Sequence, residues 1–411
     1  MSRILFLMPS QTYRASAFLS AAQKLHLDVV VGSEKRQALE VFTPDKTITL
    51  NFHDPQESVA SIVKFAQGHP LDAIIPVDET TAVIASMASK ALSLPHNLPE
   101  AVIASREKQR MRSILAKSGL PSPGNRIFSI HDNPADLSSE VDYPAVLKPL
   151  FLSSGRGVIR VNNSIEFIAA FRRIVAILSD LEVASQDTDL SQKIMLEDFV
   201  AGDEVAVEGI FTRGQLKILA IFDKPDPLDG PFFEETIYVT PSRQPERTRN
   251  EMAKTILKAS RAMGIRHGAV HAELRINREG IWLIEIAARS IGGLCAKTLR
   301  FDGDVSLEEL ILRHAIGENI DNLERETSAA GVMMIPIPKA GTLQAIYGLE
   351  EARTIQHVEE INITIPISQP VVPLPEGNKY LGFIFARAAR PEDVEVALRK
   401  SHQVLDFRIE P

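Results

Sequence analysis

Short apolar runs alternate with segments of helical periodicity over the first 95 residues or so of the chain. The apolar runs RILFLM, DVVVG and DAIIPV have the composition of buried strands, and ASAFLSAAQKL and ESVASIVKFAQ between them have helical spacing. This alternation predicts a parallel sheet with helices on both faces, a Rossmann-like α/β domain over residues 1–104. No GxGxxG motif follows the first strand, so no dinucleotide site is predicted there.

A different pattern begins near residue 105. SREKQRMRSILAKSGLPSP predicts a helix with Ser105 as its N-cap and a stop at Gly119. Short apolar runs around a helix from about Ser164 to Ser179 then predict a small antiparallel α+β unit at about 125–200. Residues 331–411 predict a compact β-rich unit with two short helices. The predicted parts are therefore 1–104, 105–330 and 331–411.

Composition narrows the class of protein. The chain has 411 residues, of which 45% are apolar and 24% charged, with a formal net charge of −8. This acidic balance argues against nucleic acid as a partner, and no segment approaches the roughly 20 apolar residues of a membrane span. Because Cys295 is the single cysteine, no internal disulfide can form, and we expect a cytoplasmic protein.

The segment HAELRINREGIWLIEIAARSIGG, from His271 to Gly293, carries glutamates inside two apolar strands. A three-residue loop at 278–280 with Gly280 at positive φ predicts a bulged hairpin in which Glu273 lies opposite Glu285. A two-residue loop would place the two glutamates on opposite faces of the sheet. Like charges at about 4 Å repel by roughly 4 kcal/mol at an effective dielectric near 20, so this pairing needs compensation.

A proton on one carboxyl group or a bridging divalent cation would relieve this repulsion. Mg²⁺ takes one or two carboxylates together with substrate phosphates, and Arg289 on the same face is placed to meet an anion. The competing interpretation is a surface hairpin with solvated glutamates. The apolar neighbours Leu274, Trp282, Ile284 and Ile286 argue against it.

Candidates for phosphate binding lie in YPAVLKPLFLSSGRGVIRV. A strand carries Lys148, and the following loop contains Ser153, Ser154, Gly155, Arg156 and Gly157. Glycines allow backbone N–H groups to approach phosphate oxygens, and a lysine adds a point charge. A glycine-rich hairpin turn explains this loop equally well.

The acidic and apolar stretch KIMLEDFVAGDEVAVEG offers candidates for contact with a nucleoside. Glu197, Phe199 and Val200 form a candidate hinge with backbone groups free for an adenine edge, and Glu204 is a candidate for ribose hydroxyls. A glutamate of this kind, taken singly, is more often a solvated strand residue.

The order of these segments resembles that of the ATP-grasp superfamily, over roughly residues 100–300. GTLQAIYGLEEARTIQHVEEINI and KYLGFIFARAARPEDVEVALRKS are similar to the C-terminal unit of its L-amino acid ligase branch. The resemblance implies a Rossmann-like N-terminal domain, a small antiparallel lid at about 125–200, a central ATP-grasp subdomain and a β-rich C-terminal unit. It also implies ATP and Mg²⁺ as cofactors, with Mn²⁺ as the alternative ion.

The resemblance assigns roles to individual residues. The implied ATP contacts are Lys108, Lys148, Ser153, Ser154, Gly155, Gly157, Glu197, Phe199, Val200 and Glu204. Glu273 and Glu285 would bind the metal, and Arg289 would hold the transferred phosphate or the substrate carboxylate. Lys224 is a further candidate for the γ-phosphate, and the substrate candidates are Glu235, Tyr238, His271, Gly292 and Gly293.

Two positions depart from the family pattern. Ala287 stands where the family commonly has an asparagine that binds a second metal ion. In PFFEETIYVTPSR, Glu235 is followed three residues later by Tyr238, where the amino acid ligases have a histidine that can act in acid–base work near pH 7. The number of metal ions and the amine substrate are therefore left open.

The resemblance implies an ATP-dependent carboxylate–amine ligase, with small-molecule substrates that are expected to be amino acids. The implied reaction forms an amide bond through an acyl phosphate, and a homodimer is the expected assembly. One alternative is a carboxylase-type member that activates bicarbonate. The other is a nucleotide-binding protein that has lost catalysis, which the departure at Ala287 keeps open.

Overall fold

A computed structural model describes residues 1–10, 12–35, 45–180, 183 and 189–411 of the chain. The N-terminal part is a parallel sheet, as the sequence predicts, and its four strands lie in the order β3-β2-β1-β4. Its strands are β1 (Arg3–Leu7), β2 (Asp28–Ser33), β3 (Thr47–Thr49) and β4 (Ala73–Pro76), and its helices are α1 (Ala15–Lys24), α2 (Pro55–Gly68) and α3 (Ala82–Ala91).

Strand β1 is buried on both faces, which explains its uninterrupted apolar sequence. Ile4 and Phe6 belong to one apolar cluster, and Leu5 and Leu7 belong to another on the opposite face of the sheet. Helices therefore cover both faces, and the Rossmann-like character of this domain is confirmed.

Two helices, α4 (Pro99–Arg106) and α5 (Lys108–Lys117), connect this domain to the rest of the chain. The predicted N-cap is wrong, because Ser105 lies inside α4 and donates a hydrogen bond to the carbonyl of Val102 at 2.8 Å. Pro99 in the first turn starts α4 earlier. The extended backbone of Glu107 then separates the two helices.

The lid is a four-stranded antiparallel sheet in the order β5-β8-β6-β7, backed by a long helix. Its strands are β5 (Asn125–Ser129), β6 (Ala145–Pro149), β7 (Ile159–Val161) and β8 (Lys193–Asp198), and its helices are α6 (Pro134–Leu137) and α7 (Ser164–Leu178). The Asn163 side chain caps α7 by accepting a hydrogen bond from the N–H of Glu166 at 3.0 Å. Phe167, Phe171 and Ile174 pack α7 on the sheet.

An eight-stranded sheet joins the central and C-terminal parts, in the order β13-β12-β9-β10-β11-β16-β20-β18. The central strands are β9 (Asp203–Thr212), β10 (Gln215–Asp223), β11 (Ile237–Thr240), β12 (Gly268–Asn277) and β13 (Gly280–Ala287). A two-stranded ribbon of β14 (Arg300–Phe301) and β15 (Val305–Ser306) and the helices α8 (Glu246–Met263) and α9 (Leu307–Ala315) complete this part.

The C-terminal part adds a second, three-stranded sheet in the order β19-β17-β21. Its elements are β16 (Ala329–Ile335), β17 (Gly341–Tyr347), β18 (Val358–Ile363), β19 (Pro370–Val371), β20 (Gly382–Ala388), β21 (Asp406–Glu410), α10 (Leu349–Thr354) and α11 (Pro391–Gln403). The expected boundary at residue 330 falls inside β16, so the three domain ranges remain predictions. No helix in the described part of the chain combines the length and apolar character that crossing a membrane requires.

Alternation along β9 separates the core from a functional face. Val205, Val207 and Phe211 point into the apolar cluster beneath α8. Glu204 and Glu208 point to the other face, where they lie opposite Arg275 and His271 of β12. Charged side chains of neighbouring strands are thereby gathered on one face of the sheet.

Candidate active site

The β12–β13 hairpin places Glu273 opposite Glu285 by a different route from the predicted one. Asn277 pairs with Gly280, so the loop has two residues rather than three, and the predicted loop is wrong. The register then shifts between Leu274 and Glu273, where Ile284 is the additional residue of a β-bulge. This bulge restores the face that a two-residue loop reverses, and the predicted pairing of the glutamates is confirmed.

A cavity of about 990 Å³ lies at this face of the sheet and is bounded by the lid, the central sheet, the N-terminal domain and the C-terminal part. Most of the sequence-predicted residues line it. These are Lys108, Lys148, Ser153, Ser154, Gly155, Glu197, Phe199, Val200, Glu204, Glu235, Tyr238, His271, Glu273, Glu285, Arg289, Gly292 and Gly293. Lys224 and Gly157 do not line the cavity. Lys224 contacts Glu204, Glu235 and Glu273, which do.

The first cluster of charges is a positive cluster formed by Lys148, Arg112 and Glu197. Lys148 forms an ion pair with Glu197, and Arg112 donates to the same carboxylate at 2.8 Å. Although burial opposes it, the two cations lower the pKa of Glu197 to about 2. Two cations thus surround one carboxylate, and the cluster carries an excess positive charge on the lid side of the cavity.

Sequence reasoning missed Arg112, which is fully buried. Its guanidinium also donates to the carbonyls of Leu283 at 3.0 Å and Ile284 at 2.7 Å, at the bulge of β13. The residue therefore connects α5, the lid and the hairpin of the paired glutamates. The only signal in the sequence is a charged residue on the apolar face of α5, between Met111 and Leu115.

The glycine loop after β6 has the backbone freedom that its sequence predicts. Ser154, Gly155 and Gly157 have positive φ angles of 57°, 70° and 73°. Lys108, the first residue of α5, donates to the carbonyl of Leu152 at 2.8 Å and so holds the beginning of this loop. The N–H of Gly157 donates to the carbonyl of Pro375 at 2.9 Å, in the C-terminal part.

The hinge between β8 and β9 is partly occupied by the protein's own contacts. The N–H of Phe199 donates to Pro144 at 3.3 Å, and the carbonyl of Val200 accepts from Arg275 at 2.7 Å. The prediction that the hinge backbone is free for an adenine edge is therefore wrong for the N–H of Phe199 and the carbonyl of Val200. The carbonyl of Phe199 and the N–H of Val200 have no hydrogen-bond partner within the described ranges. The guanidinium of Arg160 stacks over the Phe199 ring at 4.0 Å.

The second cluster is an acidic cluster formed by Glu204, Glu235, Glu273 and Glu285. The buried Lys224 ammonium contacts the first three carboxylates at 2.8, 2.6 and 3.0 Å. Although burial opposes it, Lys224 and His271 hold the pKa of Glu273 well below its usual range. Lys224 is thus a counter-ion beneath the cavity wall, and its ammonium is bound to carboxylates rather than presented to the cavity.

Tyr238 completes the surroundings of Lys224. Its hydroxyl donates to Glu235 at 2.6 Å, and its ring lies 4.8 Å from the Lys224 ammonium. Burial and the Glu235 charge raise the pKa of Tyr238 well above its usual value. Tyr238 therefore keeps its proton at physiological pH and acts as a hydrogen-bond donor that orients Glu235.

His271 is tied to both a buried glutamate and the acidic cluster. Its Nδ1 lies 3.2 Å from Glu208, and its Nε2 lies 3.7 Å from Glu273. Although burial opposes it, these two carboxylates raise the pKa of His271 to about 9. Glu208, which sequence reasoning missed, also accepts hydrogen bonds from the N–H of Ile291 at 3.1 and 3.0 Å. It therefore fixes the loop after β13 to the sheet.

Glu285 differs from the other acidic residues because its side chain forms no hydrogen bond or ion pair within the described part of the chain. Both oxygens of Glu204 have a cationic partner, since Lys224 contacts one and Arg275 contacts the other at 2.8 Å. Glu285 and one oxygen of Glu273 therefore remain as hard oxygen donors beside each other at the cavity wall. This donor set suits a divalent cation such as Mg²⁺. Ala287, opposite His271, offers no ligand atom.

The N-terminal domain contributes residues that the sequence reasoning missed. Glu79 accepts hydrogen bonds from Arg289 at 2.9 and 2.8 Å, and the Arg289 charge lowers its pKa against the effect of burial. The Tyr13 hydroxyl accepts a hydrogen bond from the N–H of Gly293 at 2.7 Å, and Arg14 donates to the carbonyl of Val77 at 3.0 Å and also to the Ser290 hydroxyl. The loops of the first sheet thereby hold the segment from Arg289 to Gly293.

Three family models match separate parts of this chain. The ATP-grasp N-terminal domain matches residues 19–96, the ATP-grasp domain matches residues 141–298, and the L-amino acid ligase C-terminal domain 2 matches residues 333–410. The resemblance noted in the sequence is confirmed by all three matches.

Relatives with curated names point to ligases. An alanine–anticapsin ligase of Bacillus amyloliquefaciens is 30% identical over 277 residues, which cover 63% of this chain and 57% of the relative. A dapdiamide A synthase of Enterobacter agglomerans is 26% identical over 261 residues, which cover 62% of this chain and 60% of the relative. The match thus extends over little more than half of the length of these relatives.

A solved structure matches over the whole chain. The crystal structure of an L-amino acid ligase from Bacillus licheniformis has a TM-score of 0.83 and 26% sequence identity, and the match covers 100% of this chain and 99% of that chain. The fold class predicted from the sequence, an ATP-grasp fold with all four parts, is confirmed.

Proposed function

This chain belongs to the ATP-grasp superfamily, and on that premise we propose that it is an ATP-dependent ligase that joins two amino acids. One substrate carboxylate takes the γ-phosphoryl group of ATP, which yields an acyl phosphate and ADP. The amine of the second substrate then displaces phosphate, and an amide bond forms. A bare carboxylate resists amine attack because it is anionic and lacks a leaving group, and its phosphorylation removes both obstacles.

One observation carries this proposal: a single cavity has an excess of positive charge at one end and an excess of carboxylates at the other. Polyphosphate suits the positive cluster, since Lys148 presents an ammonium and the loop residues Ser153, Ser154 and Gly155 present backbone N–H groups. The N–H of Gly157 is bound to Pro375 and only shapes this loop. The relatives named as ligases and the structural similarity to an L-amino acid ligase support the same reaction.

The nucleotide has its base between the lid and β9 in this proposal. The N–H of Val200 and the carbonyl of Phe199 meet the adenine edge, and the ring of Phe199 flanks the base. Glu197 acts through Lys148 and Arg112 rather than by direct contact with the base, because both cations already hold its carboxylate. Glu204 is similarly engaged by Lys224 and Arg275, so a ribose contact is limited to lone pairs that these cations leave open.

Glu273 and Glu285 hold Mg²⁺ in this proposal, and Mn²⁺ would suit the same oxygens. The ion supplies neutralisation of phosphate charge. The chain's own residues then do the orienting work, as Lys224 and His271 keep Glu273 ionised and in place. Glu208 fixes His271 and the segment that bears Arg289.

The substrates occupy the end of the cavity near Arg289. Its guanidinium holds the substrate carboxylate or the transferred phosphate, and the Glu79 contact fixes its direction. Glu235, oriented by Tyr238, presents a carboxylate to the ammonium of an amino acid substrate. Gly292 and Gly293 leave room beside Arg289 and form the floor under the reacting groups.

The direct test is ADP release by the purified chain with Mg-ATP and each common amino acid, alone and in pairs, with mass spectrometry of the products. We expect ADP release that depends on a pair of amino acids and yields an amide product. Release that depends on bicarbonate and no amino acid would replace this proposal with a carboxylase. ATP binding by calorimetry without turnover on any of these substrates would indicate a protein that has lost catalysis.

A further inference from the structure

The lid touches the C-terminal part through a short turn at Leu374–Glu376. Pro375 is a buried residue of this turn, and its carbonyl accepts a hydrogen bond from the N–H of Gly157 at 2.9 Å. Gly155 is equally close, because a Cβ at this position would lie 3.3 Å from the Leu374 side chain and 2.9 Å from the carbonyl of Phe233. The two glycines of the glycine loop thus lie beside this turn, and their positive φ angles favour glycine at both positions.

An ion pair lies beside these contacts. Arg173 of α7 donates to both carboxylate oxygens of Glu376, at 2.5 and 2.9 Å, in a bidentate arrangement. The Arg173 guanidinium also lies 4.9 Å from the ring centroid of Phe232. The C-terminal part therefore contacts the lid both at its helix and at its glycine loop. The strands of the lid form a sheet that is separate from the eight-stranded sheet.

The turn is tightly folded and continues into the cavity wall. The N–H of Gly377 donates to the carbonyl of Pro373 at 2.8 Å, and a Cβ at Gly377 would lie 1.9 Å from the carbonyl oxygen of Val372. Asn378, Lys379 and Tyr380, which follow directly, line the cavity. One segment of the C-terminal part therefore borders the glycine loop and the substrate end at once.

We propose that Arg173 and Glu376 are positioning residues that latch the lid to the C-terminal part and thereby hold the glycine loop in the conformation that binds phosphate. The inference rests on the proposed function, because it assigns ATP phosphates to that loop. The latch lowers the entropy that the loop loses on binding, since Ser154, Gly155 and Gly157 are held at positive φ before ATP arrives. Neither residue touches the nucleotide.

The first test measures the latch without any turnover. Amide hydrogen exchange of residues 151–158 is compared in the full chain and in Arg173→Gln, Glu376→Gln and Arg172→Gln. Arg172 is the matched control, because it is an exposed arginine on the same helix and forms no ion pair among the described residues. We expect exchange to become about threefold faster in the first two variants, the scale of an exposed bidentate pair, and to stay unchanged in the control.

The exchanged pair, Arg173→Glu with Glu376→Arg, distinguishes a specific contact from general damage to the lid. It restores slow exchange if the ion pair is the latch. Equal exchange in all variants, or no recovery in the exchanged pair, overturns the proposal. Both side chains are about 40% exposed, so these variants fold.

The second test measures the consequence for ATP. The dissociation constant of a non-hydrolysable ATP analogue with Mg²⁺ should rise about threefold in Arg173→Gln, return in the exchanged pair, and stay unchanged in Arg172→Gln. In turnover assays KM for ATP should rise by the same factor while kcat changes little. Faster loop exchange with unchanged analogue affinity overturns the positioning role. A wild-type chain that binds the analogue but never turns over contradicts the proposed ligase and leaves both binding tests decisive.

Discussion

The two charged clusters of the cavity have opposite imbalances. In the positive cluster, Arg112 and Lys148 surround the single carboxylate of Glu197, and all three are buried. In the acidic cluster, Glu204, Glu235 and Glu273 share Lys224, Arg275 and His271 as cationic partners, and the Glu285 side chain has no partner among the described residues. The first imbalance is complementary to polyphosphate and the second to a divalent cation, so each cluster lacks what a metal–nucleotide complex supplies.

The comparison also distinguishes residues whose polar groups are paired within the protein from residues that have no protein partner. Arg112 and Glu197 are paired with protein groups, so we expect them to contribute to the stability of the fold. Glu285 is repelled by the like charge of Glu273 opposite it, so we expect it to contribute to function rather than to stability. Variants of the two clusters should therefore affect different measurements, and the following predictions run from the largest expected effect to the smallest.

Arg112→Met should lower the free energy of unfolding by about 3–5 kcal/mol. The change leaves the carbonyls of Leu283 and Ile284 without their donor and takes one cation from Glu197. Urea unfolding measures this loss. Arg110→Met, on the exposed side of the same helix, is the control and should change little. A loss below about 1 kcal/mol would show that the positive cluster is not structural.

Acid should weaken the fold through Glu197. Its pKa is about 2 in the folded chain against an ordinary 4.5, so its contribution is complete above pH 4.5 and is lost as pH falls through about 2. The full contribution is about 3 kcal/mol. Urea unfolding of the wild type and Glu197→Gln between pH 5.5 and pH 3 measures it. The variant should show the shallower dependence on pH, and equal slopes would contradict the ion pairs described here.

Glu285→Gln should reduce ligase turnover by about a hundredfold or more, because a carboxylate ligand of the proposed metal is lost. Steady-state ADP release at saturating Mg²⁺ measures this effect. Glu279→Gln in the exposed turn of the same hairpin is the matched control and should retain activity. Full activity in Glu285→Gln would remove the metal assignment and leave the fold assignment intact.

The same Glu285→Gln variant should be more stable than the wild type in the absence of divalent cations, by up to about 1 kcal/mol. The cross-strand repulsion with Glu273 is relieved, and no hydrogen bond of the protein is lost. Thermal unfolding with chelator and with Mg²⁺ measures both halves of the effect. Mg²⁺ should stabilise the wild type and not the variant. Equal stabilisation of both chains by Mg²⁺ would place the ion elsewhere.

Local patterns were enough to predict much of the fold. Apolar runs that are buried on both faces, such as β1, and the helical spacing of α1 and α2 carry their own signal. The three residues of β3 do not, because the strand is short and incompletely buried. The hairpin shows the limit at finer scale: the pairing of Glu273 with Glu285 was correct, but the bulge at Ile284 that produces it was not predicted. Arg112 binds carbonyls at that bulge from 171 and 172 residues away, beyond any local pattern.

The candidate site divides in the same way. Lys148, Glu273 and Arg289 were found from the sequence because they lie in segments whose order along the chain resembles the family. The structure brings them to one cavity. Glu79, Arg112 and Glu208 were missed because their partners lie 210, 85 and 63 residues away. These residues matter because their charges are buried and paired. Which charges become buried depends on how distant elements pack together, and a local sequence pattern does not show this.

The unbroken sheet that runs from β13 to β18 restricts how this chain can be divided. β16 pairs with β11 along Ile237–Thr240, beside Glu235 and Tyr238, and then with β20. A chain shortened at residue 330 would cut β16 and leave the four buried residues of β11 as an unpaired edge, to which another chain could add a strand. We therefore expect the part that bears the candidate site and the C-terminal part to fold and to be expressed as one piece.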